Sequence, residues 1–412
     1  MTQSLLHQIL DYANRADPYP IYEELRKTPV HHEDGGPYVI STYYEIRSLL
    51  HDPRISSDAR NLASAGADPL AEETTPQEGA LPPGFLKLDP PEHDRMRRMT
   101  NRHFGPPHSP RRVDDMRPEL DDIVAGLFDG IGDASRFDLV EQFSYPFPVT
   151  VICRLLGVPR EDESRFHTWA DTLAASLDPD PDADPAERGK GVNEARMELG
   201  MYLAGLIEER RKNPGEDMLS QLATAQGEDG QMTTMELLST AALLLIAGHE
   251  TTVNLITNGM LTLLRNPDVL QRLRSEPRLA VPMVEELLRF EPPVQLLPQR
   301  TTLADIEVRG VTIPKGSSLW LVLASGNRDP LRFEDPDRFD PDRPDIQHLG
   351  LGSGIHSCFG APLARLEAQL ALSELARRLE NPRLVDDPPP YRQNAVLRGP
   401  RHLHIACDGI RP

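Results

Sequence analysis

Cysteine is scarce: the 412-residue chain has only Cys153, Cys358 and Cys407, far apart from one another. That scatter excludes a disulfide framework and a cysteine-built zinc site, and it suits a reducing compartment. Cations are also in deficit, 44 against 64 acidic residues, for a net charge of −20. So acidic a chain stays dissolved and is a poor general binder of nucleic acid. Long apolar runs are missing too. The longest, Ala241 to Ala247, is far too short to span a bilayer. The opening residues, Met1 to Gln8, lack the charged start and apolar core of an export signal. The expectation is a cytoplasmic protein with no nucleic-acid or membrane partner. Proline, at 40 residues, forecasts many loops.

Length alone suggests roughly two or three domains, yet no linker, repeat or low-complexity tract divides the chain. An amphipathic helix is expected over Tyr19 to Lys27, a strand over Tyr38 to Ser41 and a helix over Tyr43 to His51. Arg54 to Lys87 has no clean periodicity, and a loop that long is usually functional or mobile. A second acidic, proline-dotted segment runs from Asp178 to Pro185. The longest helix is expected around Thr233 to Leu264, where Thr233 and Glu236 form a capping box. Apolar residues surround most of it, which places it inside the protein. Small strands are expected at Ile306 to Ile313, Leu319 to Leu323 and Leu403 to Ala406.

The chemistry concentrates in one loop, Leu351-Gly352-Ser353-Gly354-Ile355-His356-Ser357-Cys358-Phe359-Gly360, followed by a helix start at Ala361-Pro362. Glycines let backbone approach something flat or bulky, and a thiol before a helix start is favoured as thiolate. A phosphate cradle fails at Ser357, where a third glycine is needed. A nucleophile elbow around Ser353 fails at Leu351 and Ile355. A cysteine hydrolase using His356 as base stays open, as does a buried unreactive thiol. In the long helix, Ala247-Gly248-His249-Glu250-Thr251-Thr252 puts charge and hydroxyls in an apolar setting, which is costly unless they serve something. A zinc-protease helix is excluded, because Val253 stands where its second histidine belongs.

The cysteine loop resembles the haem-ligand loop of the cytochrome P-450 family, Phe-Gly-x-Gly-x-His-x-Cys-x-Gly, and departs from it only at Leu351. The resemblance extends from about Asp17 to Cys407. It implies a mainly α fold with small β-sheets in a single domain over 1–412, with 1–16 loosely ordered. It also implies haem b held by Cys358 as axial thiolate, with Gly352 and Gly360 in the loop around it. The hexapeptide resembles the family's oxygen-activating motif: Ala247 and Gly248 keep the helix thin, Glu250 relays protons and Thr251 hydrogen-bonds bound dioxygen. His93, Arg97, Arg300 and His356 match the family's propionate-binding positions. Glu286 and Arg289 match its buried structural ion pair, with Arg338 as implied third partner and Arg343 as rival. The segment 178–185 resembles its lid region.

Leu243, Leu244, Val294, Gln295, Leu296 and Val396 are the expected substrate pocket, with Asn394 to Leu397 and parts of Leu81 to Leu86 beside it. Their apolar character suits a hydrophobic small molecule, and Gln295 offers one orienting hydrogen bond. The implied activity is monooxygenation, hydroxylating or epoxidising a polyketide, terpenoid or steroid-like substrate. Nothing in the chain binds flavin or an iron–sulfur cluster, so electrons are expected from ferredoxin and ferredoxin reductase. Arg95, Arg97, Arg98, Arg102, Arg111 and Arg112 form a basic cluster that is expected to steer that acidic partner. A monomer is expected. A non-catalytic haem-thiolate sensor is the alternative, and the Glu250–Thr251 pair argues against it.

Overall fold

In a computed structural model, residues 4–33, 35–62, 68–70, 84–104, 112–177, 185–226 and 229–412 are described. The longest helix, Thr234–Arg265, runs through the middle of the molecule. Its start is fixed by the expected capping box. Thr233 Oγ1 accepts from the Glu236 N–H, and the Glu236 carboxylate accepts from the Thr233 N–H. Its second half is buried on all sides from Thr252 to Leu263, the polar side chains of Asn254, Thr257, Asn258 and Thr262 included. The helices Pro146–Leu156, Pro185–Lys212 and Ala361–Arg378 pack against it. Their shared interior is one apolar cluster that includes Phe147, Leu245, Val253, Ile256 and Leu372.

A five-stranded sheet lies to one side. Its strand order is Val30–His32, Tyr38–Ile40, Ser318–Leu321, Leu297–Thr302 and Ile55–Ser56. Two smaller apolar clusters cover this sheet, one around Ile40 and Leu319, the other around Val39 and Trp320. The expected single strand from Ile306 to Ile313 is instead a hairpin, Ile306–Val308 with Val311–Ile313. Arg309 and Gly310, both at positive φ, make its two-residue turn. The strand Leu297–Thr302 was not expected. Pro298 and a register shift between Leu297 and Arg300 break its alternation.

From Ser4 onward the N-terminal segment packs against the rest of the molecule, while residues 1–3 lie outside the described residues. Leu5–Leu10 is helical, and Ile9 is buried with Tyr22 and Trp320. Arg15 secures it by donating to the carbonyls of Ile9 and Leu10. The expected lid falls outside the described residues over 178–184, as does most of the long loop expected after Arg54. Among the described residues, no helix is long and apolar enough to cross a membrane.

Candidate active site

The cysteine loop leaves the core at Leu349 and ends where the helix Ala361–Arg378 begins. It closes on itself through the Cys358 N–H, which donates to Leu351 O at 2.8 Å. Gly354, at φ +70°, lies so close to Leu50 that a Cβ there would come within 2.1 Å of the Leu50 carbonyl. Only glycine fits that approach. Cys358 opens onto a cavity that also meets Leu243, Leu244, Ala247, Gly248 and Thr251 of the central helix. Its exposed surface therefore faces an interior space. Burial is the largest influence on the thiol and raises its pKa. The N–H groups of Gly360 and Ala361 oppose that, as do Arg97 and Arg365. Those are the groups that would hold a thiolate once a cation sits on the sulfur.

Basic side chains gather at one edge of the cavity. Arg97, Arg300 and His356 line it, and the His93 ring lies 4.4 Å from that of His356. His93 is buried, with Nδ1 bonded to Asp94 at 2.8 Å and Nε2 without a partner. His356 Nδ1 is likewise buried and unbonded. Burial, with His93, Arg300 and Arg97 beside it, depresses His356 to about 3. Burial also lowers Arg300 to about 10. Buried donors and cations without acceptors call for an anionic ligand. Arg97 also ties down the loop, donating to Ile355 O at 2.9 Å and Ser357 O at 2.7 Å.

The central helix is thin at the cavity. A Cβ on Gly248 would come within 2.8 Å of Ile152 Cδ1. Thr251 Oγ1 donates to Ala247 O at 2.8 Å, leaving its acceptor side to the cavity. Glu250 turns away from that space. It is buried and pairs with Arg392 Nη1 at 3.1 Å, a partner that sequence reasoning missed. No local pattern marks Arg392, which is 142 residues away in sequence.

Glu286 and Arg289 are both fully buried and joined by two hydrogen bonds of 2.7 Å. Arg289 also donates to the carbonyls of Asn327 and Pro336. Asn327 in turn holds the Leu349 N–H at 2.7 Å, and Leu349 O accepts from Gly352. The pair thus braces the cysteine loop through Asn327. The expected third partner is corrected. Arg338 points to solvent and pairs with Asp340. Arg343 is the cation beside Glu286, at 3.4 Å, with its side chain 8% accessible.

The pocket expectation also needs correction. Leu243, Leu244 and Val294 line the cavity, joined by Phe85, Leu86 and Leu297. Gln295 does not: it is fully buried, donating to Pro292 O and accepting from the Tyr22 hydroxyl. Leu296 and Val396 pack into the cluster around Trp320. Val294, in an isolated bridge with Leu397 ahead of the strand, and Leu297 face the cavity, whereas Gln295 and Leu296 between them are fully buried. The basic cluster is partly neutralised. Arg95 pairs with Glu236, and Arg98 and Arg102 both pair with Asp229. Arg112 donates to Glu216 O, and Arg111 lies outside the described residues.

A lone thiol opening onto an apolar cavity edged by Arg97, Arg300 and imidazole nitrogens without partners fits a dianionic macrocycle with a metal at its centre. The fold and the site define a haem-thiolate protein. The family model for cytochrome P450 matches residues 64–406. Over 402 residues the chain is 42% identical to cytochrome P450 monooxygenase PikC of Streptomyces venezuelae, covering 95% of this chain and 91% of that one. It is 39% identical over 391 residues to a vitamin D(3) 25-hydroxylase of Pseudonocardia autotrophica, covering 93% and 92%. The ligand-free crystal structure of Mycobacterium smegmatis CYP164A2 matches with a TM-score of 0.85 at 41% identity, covering 98% and 100%. The chain belongs to the cytochrome P450 family. It is a monooxygenase, and the cysteine-hydrolase alternative falls.

Proposed function

We propose that this monooxygenase places one oxygen atom from O2 into a large, apolar small molecule of polyketide, terpenoid or steroid-like kind, drawing electrons from ferredoxin and its reductase. The cavity carries this reading. Away from its cationic edge, it is walled by Leu243, Leu244, Ala247, Val294 and Leu297, with the Thr251 and Thr252 hydroxyls among them. Such a wall selects by shape and apolar area. The vitamin D(3) 25-hydroxylase relative supports a substrate of that size and character.

In this reading Cys358 would hold haem b by its iron, and that group would supply the oxygen-activating chemistry. His93, Arg97, Arg300 and His356 hold its propionates, and Gly352, Gly360, Ala247 and Gly248 permit its close approach. Thr251 would offer its hydroxyl to oxygen in the cavity, and Glu250, beside it on the helix but turned towards Arg392, would act as the acid of the proton relay. Glu286, Arg289 and Arg343 keep the cysteine loop in place. The chain 1–412 acts as one domain, as a monomer in the cytoplasm.

The purified protein should show a thiolate-type Soret shift when reduced under carbon monoxide. Apolar macrolides, terpenes or steroids should displace the iron-bound water in an optical titration. A protein with no haem band overturns the assignment. A normal haem spectrum with binding of small polar ligands alone overturns the substrate class.

A further inference from the structure

The cysteine loop is held at both of its ends by one carboxylate that does not line the cavity. Glu285 stands on the helix Ala280–Phe290, beside the buried Glu286. At the entry to the loop, His348 Nε2 lies 3.2 Å from Glu285 Oε2, and His348 Nδ1 accepts from the Gly350 N–H at 3.1 Å. Since Nδ1 accepts, the ring proton belongs on Nε2, where it donates to the carboxylate. The His348 side chain is 4% accessible, so both bonds are shielded from water. At the exit, Arg365 of the helix Ala361–Arg378 donates to Glu285 through Nε at 2.6 Å and through Nη2 at 2.9 Å. Such two-pronged pairing fixes direction as well as distance. Burial pushes the Glu285 carboxyl up, but His348 and Arg365 outweigh it and hold the group at about 2. The same helix also meets the loop at Gly350, where a Cβ would come within 2.2 Å of Leu288 O. Both flanks of Cys358 are thereby referred to a single helix.

We propose that Glu285 is a positioning residue for the haem ligand, fixing both ends of the cysteine loop and balancing the charge of Arg365 near Cys358. The two arms differ in kind. The His348 arm is mechanical: without it the N–H of buried Gly350 loses its acceptor and the loop entry loosens. The Arg365 arm is electrostatic. Arg365 and Cys358 act on one another through their charges, so whatever neutralises Arg365 changes the field at the sulfur. Paired, Glu285 and Arg365 present little net charge to a metal held there; either one alone presents a full charge. A positive field favours the electron taken up on reduction, and a negative field opposes it. The proposal rests on Cys358 being the axial ligand.

The test uses holoenzyme carrying Glu285→Gln, Arg365→Gln, both together, His348→Phe or His348→Asn. In an equilibrium redox titration Glu285→Gln should raise the iron's potential and Arg365→Gln should lower it. The double variant should return close to wild type. Potentials that stay together, or that move the same way in both single variants, overturn the proposal. On mild warming, His348→Phe should lose the thiolate-type carbon monoxide spectrum several-fold faster than wild type. His348→Asn should stay near wild type, because its amide oxygen can replace Nδ1 as acceptor for Gly350. Equal rates in all three overturn the anchoring of the loop. Should Arg365→Gln fail to retain haem, Glu285→Gln decides alone, and an unchanged or lowered potential overturns the proposal. Wild type that binds haem without a thiolate-type spectrum removes Cys358 as ligand, and the proposal falls with it.

Discussion

At the scale of single residues, the cysteine loop carries one departure from the family pattern, and its position gives it weight. Leu351 lines the cavity, and its carbonyl accepts from the Cys358 N–H. Its side chain packs against the main core. A phenylalanine there would add a flat ring over the sulfur and shield it from donors that withdraw its charge. Leu351→Phe should therefore lower the reduction potential of the iron, measured by equilibrium redox titration; no change would remove the idea and leave Cys358 as ligand. A second residue-scale prediction separates two arginines. Arg343→Ala removes the cation beside Glu286 and three carbonyl contacts, and should cost about 2 kcal/mol in denaturant unfolding. Arg338→Ala removes an exposed pair with Asp340 and should cost about 1 kcal/mol or less. The two arginines end successive Pro-Asp-Arg triplets. Only the path of the chain after Asp335, which has positive φ, decides which one turns inward.

At the scale of elements, legibility followed the strength of the local signal. The central helix was readable because capping box, length and apolar character agree. The strand Leu297–Thr302 was not, since Pro298 and the positive φ of Gln299 disrupt its pattern, yet that strand is what delivers Arg300 to the cavity. The Glu250–Arg392 pair was invisible because it joins two elements that only the fold brings together. His249, on the same helix, gives the helix a titration. Burial depresses it to about 4, below its ordinary 6.5, with a long contact from Nδ1 to Leu245 O opposing that shift. The unfolded chain thus takes up a proton first as pH falls through 6.5. The stability this position contributes is complete above that pH and is lost progressively towards pH 4, by about 3 kcal/mol. His249→Phe should flatten that part of the curve of melting temperature against pH. An unchanged acid limb would show that His249 is protonated in the fold without penalty.

At the scale of the whole molecule, charge decides how an electron donor approaches. The protein is strongly acidic, with net charge −20, so an acidic donor such as the proposed ferredoxin would approach best where cations gather. The helix Glu92–Asn101 and its surroundings supply those cations, but Asp229 sits between Arg98 and Arg102 and cancels part of their field. Arg112 spends one donor on a carbonyl and keeps its full charge. Steering acts on the encounter rate and is screened over about 10 Å at 0.1 M salt. Reversing Arg102 and Arg112 to glutamate should therefore slow ferredoxin-driven reduction, most strongly at low ionic strength. The variant Asp229→Asn should do the opposite, since it unmasks two arginines without adding a contact. Stopped-flow reduction across a salt series reads both. Rates that stay together at every salt concentration would place the docking face elsewhere, whereas opposite shifts that converge as salt rises would mark this helix as the electron entry.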